Sequence, residues 1–331
     1  MESAGTGSKA AKKDDIGGDV ERARRLRNLI GVRDAVSRRY DELDGEAFSF
    51  LGGLREETKA HRPRLLELLD RILIRYAFEG RVDPWMTFDA TEGQLRSFPE
   101  DSRHRTIALD EPSRPGRRLS IALVHGSFDP FHLGHLYMGL ECVADGSSDF
   151  VIYMPNADHW HSTSPLKPGK NDYAWRARTV FVGGVDDFYP ISRLSPLGKR
   201  GKTPWEICSL LERNAELIDG SEGIVLTVVI GGDVTSRPGF AEKTNEMYGR
   251  VASFRGGGKV SLRFRIVERE SGSADTLSDQ AGGLAFPFTV VGSVSSAASS
   301  AIRRAECYSD NLYPGSLTLL EPLFRYRSIP D

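Results

Sequence analysis

The clearest pattern in the chain lies after residue 118, where short apolar segments rich in β-branched residues alternate with longer segments of helical periodicity. The predicted strands are residues 119–125, 150–154, 224–230, 250–254 and 286–291, and the helical patterns between them span residues 136–144, 173–183 and 205–218. Strands that are apolar along their whole length are typical of a parallel sheet with both faces covered. The alternation therefore predicts an α/β domain with a doubly wound parallel sheet.

Two further features lie near the end of this domain. Residues 260–268 alternate apolar and polar positions, which predicts an additional strand. The segment 271–283 that follows is polar and is interpreted as an insertion.

The first third of the chain has a different pattern, which predicts a helical addition to that domain. From residue 19, apolar positions recur at spacings of three to five, and a second apolar stripe runs from Leu65 to Tyr76 behind Pro63. We divide the chain into a disordered tail (1–18), a helical accessory region (19–98), a proline-rich and charged linker (99–118) and the α/β domain (119–331).

Composition narrows the class of protein. The 331 residues carry a formal net charge of -2, which argues against a protein that coats nucleic acid. The longest apolar stretch, residues 224–230, is far shorter than the ~20 residues that cross a bilayer. The amino terminus lacks a signal core, and the three cysteines form no CxxC pair. We expect a cytoplasmic protein without membrane or nucleic-acid partners and without a disulfide framework; a homo-oligomer is left open.

The most informative segment begins in the first predicted strand of the sheet. Residues 121–135 read Ile-Ala-Leu-Val-His-Gly-Ser-Phe-Asp-Pro-Phe-His-Leu-Gly-His, a buried strand that runs through a Gly/Pro turn into a helix. In doubly wound sheets, ligands bind beyond the carboxyl ends of strands, where a helix amino terminus offers N–H groups to an anion. His132 and His135 share one face of that first turn, and Gly134 leaves room for a bulky ligand. A two-histidine metal site would need further ligands.

This string resembles the GxFxPxHxGH signature of the nucleotidylyltransferase superfamily, whose HxGH element cradles the phosphates of a nucleoside triphosphate. The resemblance implies a Rossmann-like sheet, with His132 and His135 on the polyphosphate. It also implies that Gly126, Ser127 and Phe128 form a backbone turn that receives both nucleotides.

A second element lies near the carboxyl end of the chain. Residues 298–303, Ala-Ser-Ser-Ala-Ile-Arg, are similar to the ISSTxIR element of nicotinamide and nicotinate mononucleotide adenylyltransferases. Hydroxyls and a guanidinium at a helix start make a phosphate clamp, so the resemblance assigns Ser299, Ser300 and Arg303 to the ATP phosphates. Alanines stand at the leading Ile-Ser positions, and a plain helix cap is the alternative interpretation.

Two basic residues and an acidic turn occur in the order of the same family. Lys167 and Arg176 resemble the family's loop lysine and helix-borne arginine, which implies polyphosphate binding by Lys167 and acceptor binding by Arg176. Gly231 and Asp233, in Ile-Gly-Gly-Asp after a strand, look like the family's GxD element, in which the carboxylate reaches ribose hydroxyls. A plain turn is an equal alternative for this last segment.

Residues 203–206, Thr-Pro-Trp-Glu, bear on the identity of the substrate that accepts the nucleotidyl group. They resemble the TWE stretch of mononucleotide adenylyltransferases, where a tryptophan stacks on the pyridine ring, and imply acceptor binding by Thr203 and Trp205. Stacking suits a flat, cationic ring. Pro204 departs from the family pattern, Trp205 could instead anchor its helix in the core, and Trp160 is a second candidate for the stacking residue.

Together these segments imply transfer of an adenylyl group from ATP to the 5′-phosphate of nicotinamide or nicotinic acid mononucleotide, with release of pyrophosphate. This chemistry needs in-line positioning and charge neutralisation rather than a protein nucleophile, with Mg²⁺ bridging the ATP phosphates. Two alternatives stay open: a cytidylyl- or adenylyltransferase acting on another phosphate acceptor, and a non-catalytic nucleotide sensor with the helical region as its output module.

Overall fold

The structure is a computed structural model. It describes residues 11–79, 118–157, 171–195, 203–254, 257–268, 274–292, 311–317 and 319. The predicted site residues Lys167, Ser299, Ser300 and Arg303, and the aromatic candidate Trp160, lie outside the described residues.

A six-stranded parallel sheet forms the centre of the α/β domain. The strands are β1 (Leu119–Gly126), β2 (Phe150–Pro155), β3 (Ser192–Leu194), β4 (Ile224–Gly231), β5 (Val260–Val267) and β6 (Phe288–Val291). Their order is β3-β2-β1-β4-β5-β6, and every neighbouring pair is parallel. This confirms the predicted Rossmann-like, doubly wound sheet. The strand order reverses between β1 and β4, so a crevice is expected where those two strands end.

Helices connect the strands in the alternating order that the sequence predicts. They are α4 (Leu133–Ala144), α5 (Tyr173–Gly184), α6 (Thr203–Arg213), α7 (Ala215–Asp219), α8 (Phe240–Ala252) and α9 (Ala274–Ala281). α4 joins β1 to β2 and is buried along most of its length, because other parts of the molecule cover it on the side away from the sheet as well.

Three local expectations differ from the structure. The prediction of a strand at residues 250–254 is wrong, since these residues include the end of α8. Along that helix, Thr244, Tyr248 and Val251 are buried at helical spacing. The short strand β3 was missed because three residues carry almost no periodic signal. The segment interpreted as a polar insertion contains α9.

The amino-terminal region is helical, as predicted. It contains α1 (Ala11–Asp41), two 3₁₀ turns (Glu42–Asp44 and Glu46–Leu51), α2 (Leu54–Lys59) and α3 (Arg62–Glu79). α1 begins inside the segment that was predicted as a disordered tail. Residues 11–15 are Ala-Lys-Lys-Asp-Asp, and alanine and lysine extend a helix without needing an apolar stripe.

The amino-terminal helices share one buried apolar core with the α/β domain. α1 packs on α3, and α3 packs on the outer side of α4. Leu65, Ile72 and Tyr76 of α3 lie in the same apolar cluster as Leu136 and Leu140 of α4. The helical region therefore rests on the α/β domain through apolar packing, while the boundaries drawn between the two stay predictions. No helix in the described part of the chain is long and apolar enough to cross a membrane.

Candidate active site

The predicted phosphate-binding string lies at the point where the strand order reverses. β1 ends at Gly126 and β4 ends at Gly231, and the two strands are neighbours with Val124 opposite Val229. Because both strands run in the same direction, their carboxyl ends open on the same edge of the sheet. The structure thus brings the turn after β1 and the Gly-Gly-Asp segment after β4 to one crevice.

The turn after β1 is tight. Phe128 has a φ of +50°, a left-handed conformation that is uncommon for a residue with a side chain, and its ring is 1% exposed. A Cβ atom on Gly126 would lie 3.1 Å from that ring, so this position needs glycine or a shift of the aromatic side chain. The turn therefore packs the buried Phe128 ring closely against Gly126.

The two histidines meet at the amino terminus of α4. His132 is the N-cap residue, and its ring centroid lies 3.7 Å from that of His135. The His135 ring also packs edge-to-face against the Phe128 ring, with 4.9 Å between the two ring centroids. The backbone N–H of His132 points at Nδ1 of His135 at 3.4 Å, which leaves the proton of a neutral His135 on Nε2. His135 can therefore donate from Nε2 to an anion at this helix terminus.

The carboxyl-terminal part of the chain contacts the same helix start. The N–H of Leu133, the first residue of α4, donates to the carbonyl oxygen of Asn311 at 2.8 Å. Asn311 follows the predicted phosphate clamp by eight residues, counted from Arg303. Asn311 is thereby anchored beside the histidine pair.

Arg176 is placed behind the turn. Its side chain is fully buried, and the guanidinium donates to three carbonyl oxygens: Asn171 at 3.0 Å, Ser127 at 2.9 Å and Asn156 at 2.7 Å. Acceptor binding by Arg176 stays a prediction; besides these three hydrogen bonds, the guanidinium lies 5.8 Å from the centroid of the Tyr173 ring.

Three polar residues that the sequence analysis missed complete this network. The carboxylate of Asp129 accepts from the backbone N–H and the side-chain amide of Asn171, at 3.2 and 2.7 Å. The hydroxyl of Thr179 accepts from the N–H of Phe131 at 3.2 Å. Asp129 carried a signal, because it stands inside the signature string. Asn171 and Thr179 carried none, since their partners become neighbours only in the folded chain.

His125, the residue before Gly126, is a further group near the crevice. Its Nε2 lies 3.0 Å from the hydroxyl oxygen of Tyr248 in α8. Burial, with a smaller contribution from the positive charge of Arg237, lowers the pKa of His125 from 6.5 to about 4. His125 is therefore neutral at physiological pH.

The Gly-Gly-Asp segment begins a 3₁₀ turn, Gly232–Val234, directly after β4. Asp233 is exposed, and the Thr235 hydroxyl closes the turn by donating to the carbonyl oxygen of Gly232 at 2.7 Å. The acidic side chain thus stands at the carboxyl edge of the sheet, in reach of solvent. This position is compatible with both the ribose-binding and the plain-turn interpretation.

The predicted acceptor tryptophan lies on the surface. Trp205 is 57% exposed, which rules out the interpretation that it anchors α6 in the core. The Arg250 guanidinium covers its ring at 5.3 Å from the centroid. Arg250 belongs to the last turn of α8, which leads to the amino end of β5, whereas Gly126 is the residue at the carboxyl end of β1. Thr203 is the first residue of α6.

Among the described residues, no group of three or more His, Cys, Asp and Glu side chains is arranged to hold a metal ion.

Residues 123–251 match a family model described as cytidylyltransferase-like. The probable nicotinate-nucleotide adenylyltransferase of Corynebacterium glutamicum is 30% identical over 79 residues, which are 24% of this chain and 35% of that protein. The probable nicotinate-nucleotide adenylyltransferase of Acidothermus cellulolyticus is 29% identical over 103 residues, which are 31% of this chain and 47% of that protein. The chain thus spans less than half the length of these curated relatives.

Two solved structures of the nicotinic acid mononucleotide adenylyltransferase of Plasmodium falciparum are also similar. One is complexed with APC, at 12% identity and a TM-score of 0.43, and the other with NaAD, at 13% identity and a TM-score of 0.40. Each similarity covers 64% of this chain and 100% of that chain. The family-model match begins within β1 and ends within α8, so this part of the chain is similar to the cytidylyltransferase-like domains of the nucleotidylyltransferase superfamily.

Proposed function

We propose that the protein transfers an adenylyl group from ATP to the 5′-phosphate of a pyridine mononucleotide. A phosphate oxygen of the mononucleotide forms a bond to the α-phosphorus of ATP, the bond between the α- and β-phosphates breaks, and pyrophosphate leaves. The observation that carries the proposal is the pair of imidazoles at the amino terminus of α4, beside the crevice between β1 and β4. An enzyme of this kind needs a site for polyphosphate at that place.

The chain's contribution is electrostatic and geometric. The amino end of α4 attracts negative charge, and Nε2 of His135 donates to the phosphates where charge spreads in the transition state. The main chain at Gly126, Ser127 and Phe128 lets both nucleotides approach closely. We assign Lys167, Ser299, Ser300 and Arg303 to the same polyphosphate on their resemblance to the family's motifs. Mg²⁺ is proposed to enter as part of the ATP substrate, bridging its phosphates.

The acceptor is the less constrained half of the proposal. Asp233 is assigned to ribose hydroxyls, and Thr203 and Trp205 to the acceptor. Both curated relatives are probable nicotinate-nucleotide adenylyltransferases, which favours nicotinic acid mononucleotide as the first acceptor to test. The exposed ring of Trp205 is available for stacking, although Arg250 now covers one face of it.

A second candidate keeps the fold and changes the nucleotide or the acceptor. The family model that matches residues 123–251 is described as cytidylyltransferase-like, which favours a test of CTP and of other phosphate acceptors. A non-catalytic nucleotide sensor is the third candidate, and the intact histidine pair argues against it.

A substrate matrix tests these candidates together. Pyrophosphate release is measured with ATP or CTP, each paired with nicotinic acid mononucleotide, nicotinamide mononucleotide and a set of sugar and alditol phosphates. We expect turnover with ATP and a pyridine mononucleotide. Turnover only with CTP or a non-pyridine acceptor would favour the second candidate, and tight ATP binding without turnover of any acceptor would favour the sensor.

A further inference from the structure

We propose that Arg176 is a positioning residue, which holds the turn after β1 in the shape that receives the triphosphate and does not itself contact the acceptor. This inference rests on the proposed function. It assigns to Arg176 a role different from the acceptor binding that the resemblance implies.

The first argument is the set of segments that Arg176 joins. Its three acceptors belong to separate parts of the chain: Ser127 follows β1, Asn156 follows β2, and Asn171 precedes α5. The first two segments are also linked directly, because the N–H of Asn156 donates to the carbonyl oxygen of Gly126 at 2.8 Å. One guanidinium thus ties the turn that follows β1 to the segment that follows β2.

The second argument is that the same turn is held at every second residue by α5 and the residues that precede it. Asp129 accepts two hydrogen bonds from Asn171, and Phe131 donates to the hydroxyl of Thr179 in α5. Ser127, Asp129 and Phe131 are therefore bound to α5 or to the residues that precede it. His132 follows directly, so the position of the histidine pair depends on this framework.

The third argument is the chemistry of the guanidinium. Its five N–H groups form a rigid planar fork that can donate to three carbonyl oxygens in different directions. A lysine ammonium on a flexible stem cannot reach the same three acceptors in the same geometry. An arginine-to-lysine substitution here keeps the charge but disconnects at least one segment, so it should separate positioning from simple electrostatics.

The test compares Arg176→Lys with two matched controls. Arg75→Lys alters a second buried arginine, which belongs to α3. Its guanidinium also donates to three backbone carbonyls, those of Val143, Gly146 and Ser148, and these lie far from the histidine pair. Arg178→Lys alters an exposed arginine two residues farther along α5. Thermal unfolding, kcat, the KM of the acceptor and the Kd of ATP are measured for each variant.

We expect Arg176→Lys to lower kcat by about 10- to 100-fold, because small misplacements of groups around a reacting phosphate have effects of that order. The KM of the acceptor should change by less than about threefold, and the Kd of ATP should rise. Arg75→Lys should lower the unfolding temperature by about as much as Arg176→Lys does, but with kcat nearly unchanged. Arg178→Lys should change neither the unfolding temperature nor kcat.

Two results would overturn the proposal. A large rise in acceptor KM with normal kcat would show a direct acceptor contact, and equal losses of kcat in Arg176→Lys and Arg75→Lys would show general destabilisation. If Arg176→Lys does not fold, Asn171→Ala is tested instead, because Asn171 is exposed and the substitution removes only its side-chain hydrogen bond to Asp129. This variant should lower kcat about threefold, and an unchanged kcat would contradict the proposal.

The protein could prove inactive with every acceptor while Arg176 still positions the turn, so ATP binding is measured separately from turnover. If the wild-type protein turns over none of the acceptors, titration with ATP alone still compares the variants. Weaker ATP binding in Arg176→Lys than in Arg75→Lys supports the positioning role, and equal affinities contradict it.

Discussion

The two ends of α4 are built for different purposes. At its amino end, a helix terminus that favours negative charge carries two histidines and faces the crevice between β1 and β4. At its carboxyl end, Arg75 donates to the carbonyl oxygens of Val143, Gly146 and Ser148, so positive charge is supplied there by the protein itself. The chain thus supplies its own positive charge at the carboxyl end, whereas at the amino end we propose that a bound anion interacts with the histidines.

Two buried arginines make this difference concrete. Arg75 and Arg176 each donate to three backbone carbonyls, so their contacts look alike. Arg75 comes from the amino-terminal region and supports the segment between α4 and β2, while Arg176 supports the turn that leads to His132. Equal hydrogen bonding should therefore have unequal consequences, for stability in one case and for catalysis in the other.

The amino-terminal region also supports α4 along its outer side. The guanidinium of Arg64 lies 4.7 Å from the centroid of the Tyr137 ring, and the Tyr76 hydroxyl donates to the carbonyl oxygen of Asp149. Farther along the chain, Arg39 of α1 donates to Asp187 at 2.8 Å, and Asp187 accepts from the hydroxyl of Tyr313 at 2.9 Å. The helices that the family resemblance does not cover thus contact both α4 and the carboxyl-terminal segment.

The largest expected effect is at the amino end of α4. His135→Ala removes the imidazole that donates from Nε2, and kcat/KM should fall by about 10²- to 10³-fold, as for loss of a transition-state donor. The matched control is His61→Ala, a histidine near Tyr137 on the outer side of the same helix. Steady-state kinetics and thermal melts decide: near wild-type activity of His135→Ala would contradict the phosphate-binding role.

At the carboxyl end of α4, Arg75→Met should destabilise the fold by about 2–4 kcal/mol, since buried carbonyl oxygens lose their donor. Activity per folded molecule should stay within about twofold, because the histidine pair lies at the opposite end of the helix. Denaturant unfolding followed by kinetics at low temperature tests both parts. A loss of kcat without a loss of stability would show that the two ends of α4 are not independent.

Acid should destabilise the fold through His125, which lies at the carboxyl end of β1 and is neutral in the folded state. Its pKa is lowered from 6.5 to about 4, so the unfolded chain binds the proton first as the pH falls. Stability is therefore fully present above pH 6.5 and declines between pH 6.5 and 4, by up to about 3 kcal/mol from this residue. His125→Gln should lose less stability than the wild type between pH 7.5 and 4.5 in urea unfolding; identical losses would show that His125 does not titrate as described.

The smallest expected effect concerns a charge at the last turn of α4. Asp145, the C-cap residue, forms an ion pair with Arg265 of β5, and both side chains are partly exposed. Arg265→Gln should cost about 1 kcal/mol or less, and the difference should shrink in 1 M salt. Urea unfolding at two salt concentrations measures it. A larger, salt-independent loss would indicate that Arg265 acts through packing.

Much of the crevice could be predicted because its information is local. A strand, a Gly/Pro turn and two histidines three residues apart are contiguous, and the helical repeat alone places both rings on one side of the first turn. The order of strands and helices likewise predicts a doubly wound sheet, and that prediction is confirmed. Where the periodic signal was short or mixed, as at residues 250–254, the prediction failed.

The sequence alone determined the kind of domain and the place of the string predicted to bind phosphate, since both depend on neighbours within a few positions. What only the folded molecule decided was the partner of each buried polar group. Arg75 and Val143 are 68 residues apart, and Arg176 and Ser127 are 49 apart, so no local pattern could pair them. A buried guanidinium must find acceptors, but which carbonyls it finds depends on how the sheet and helices pack.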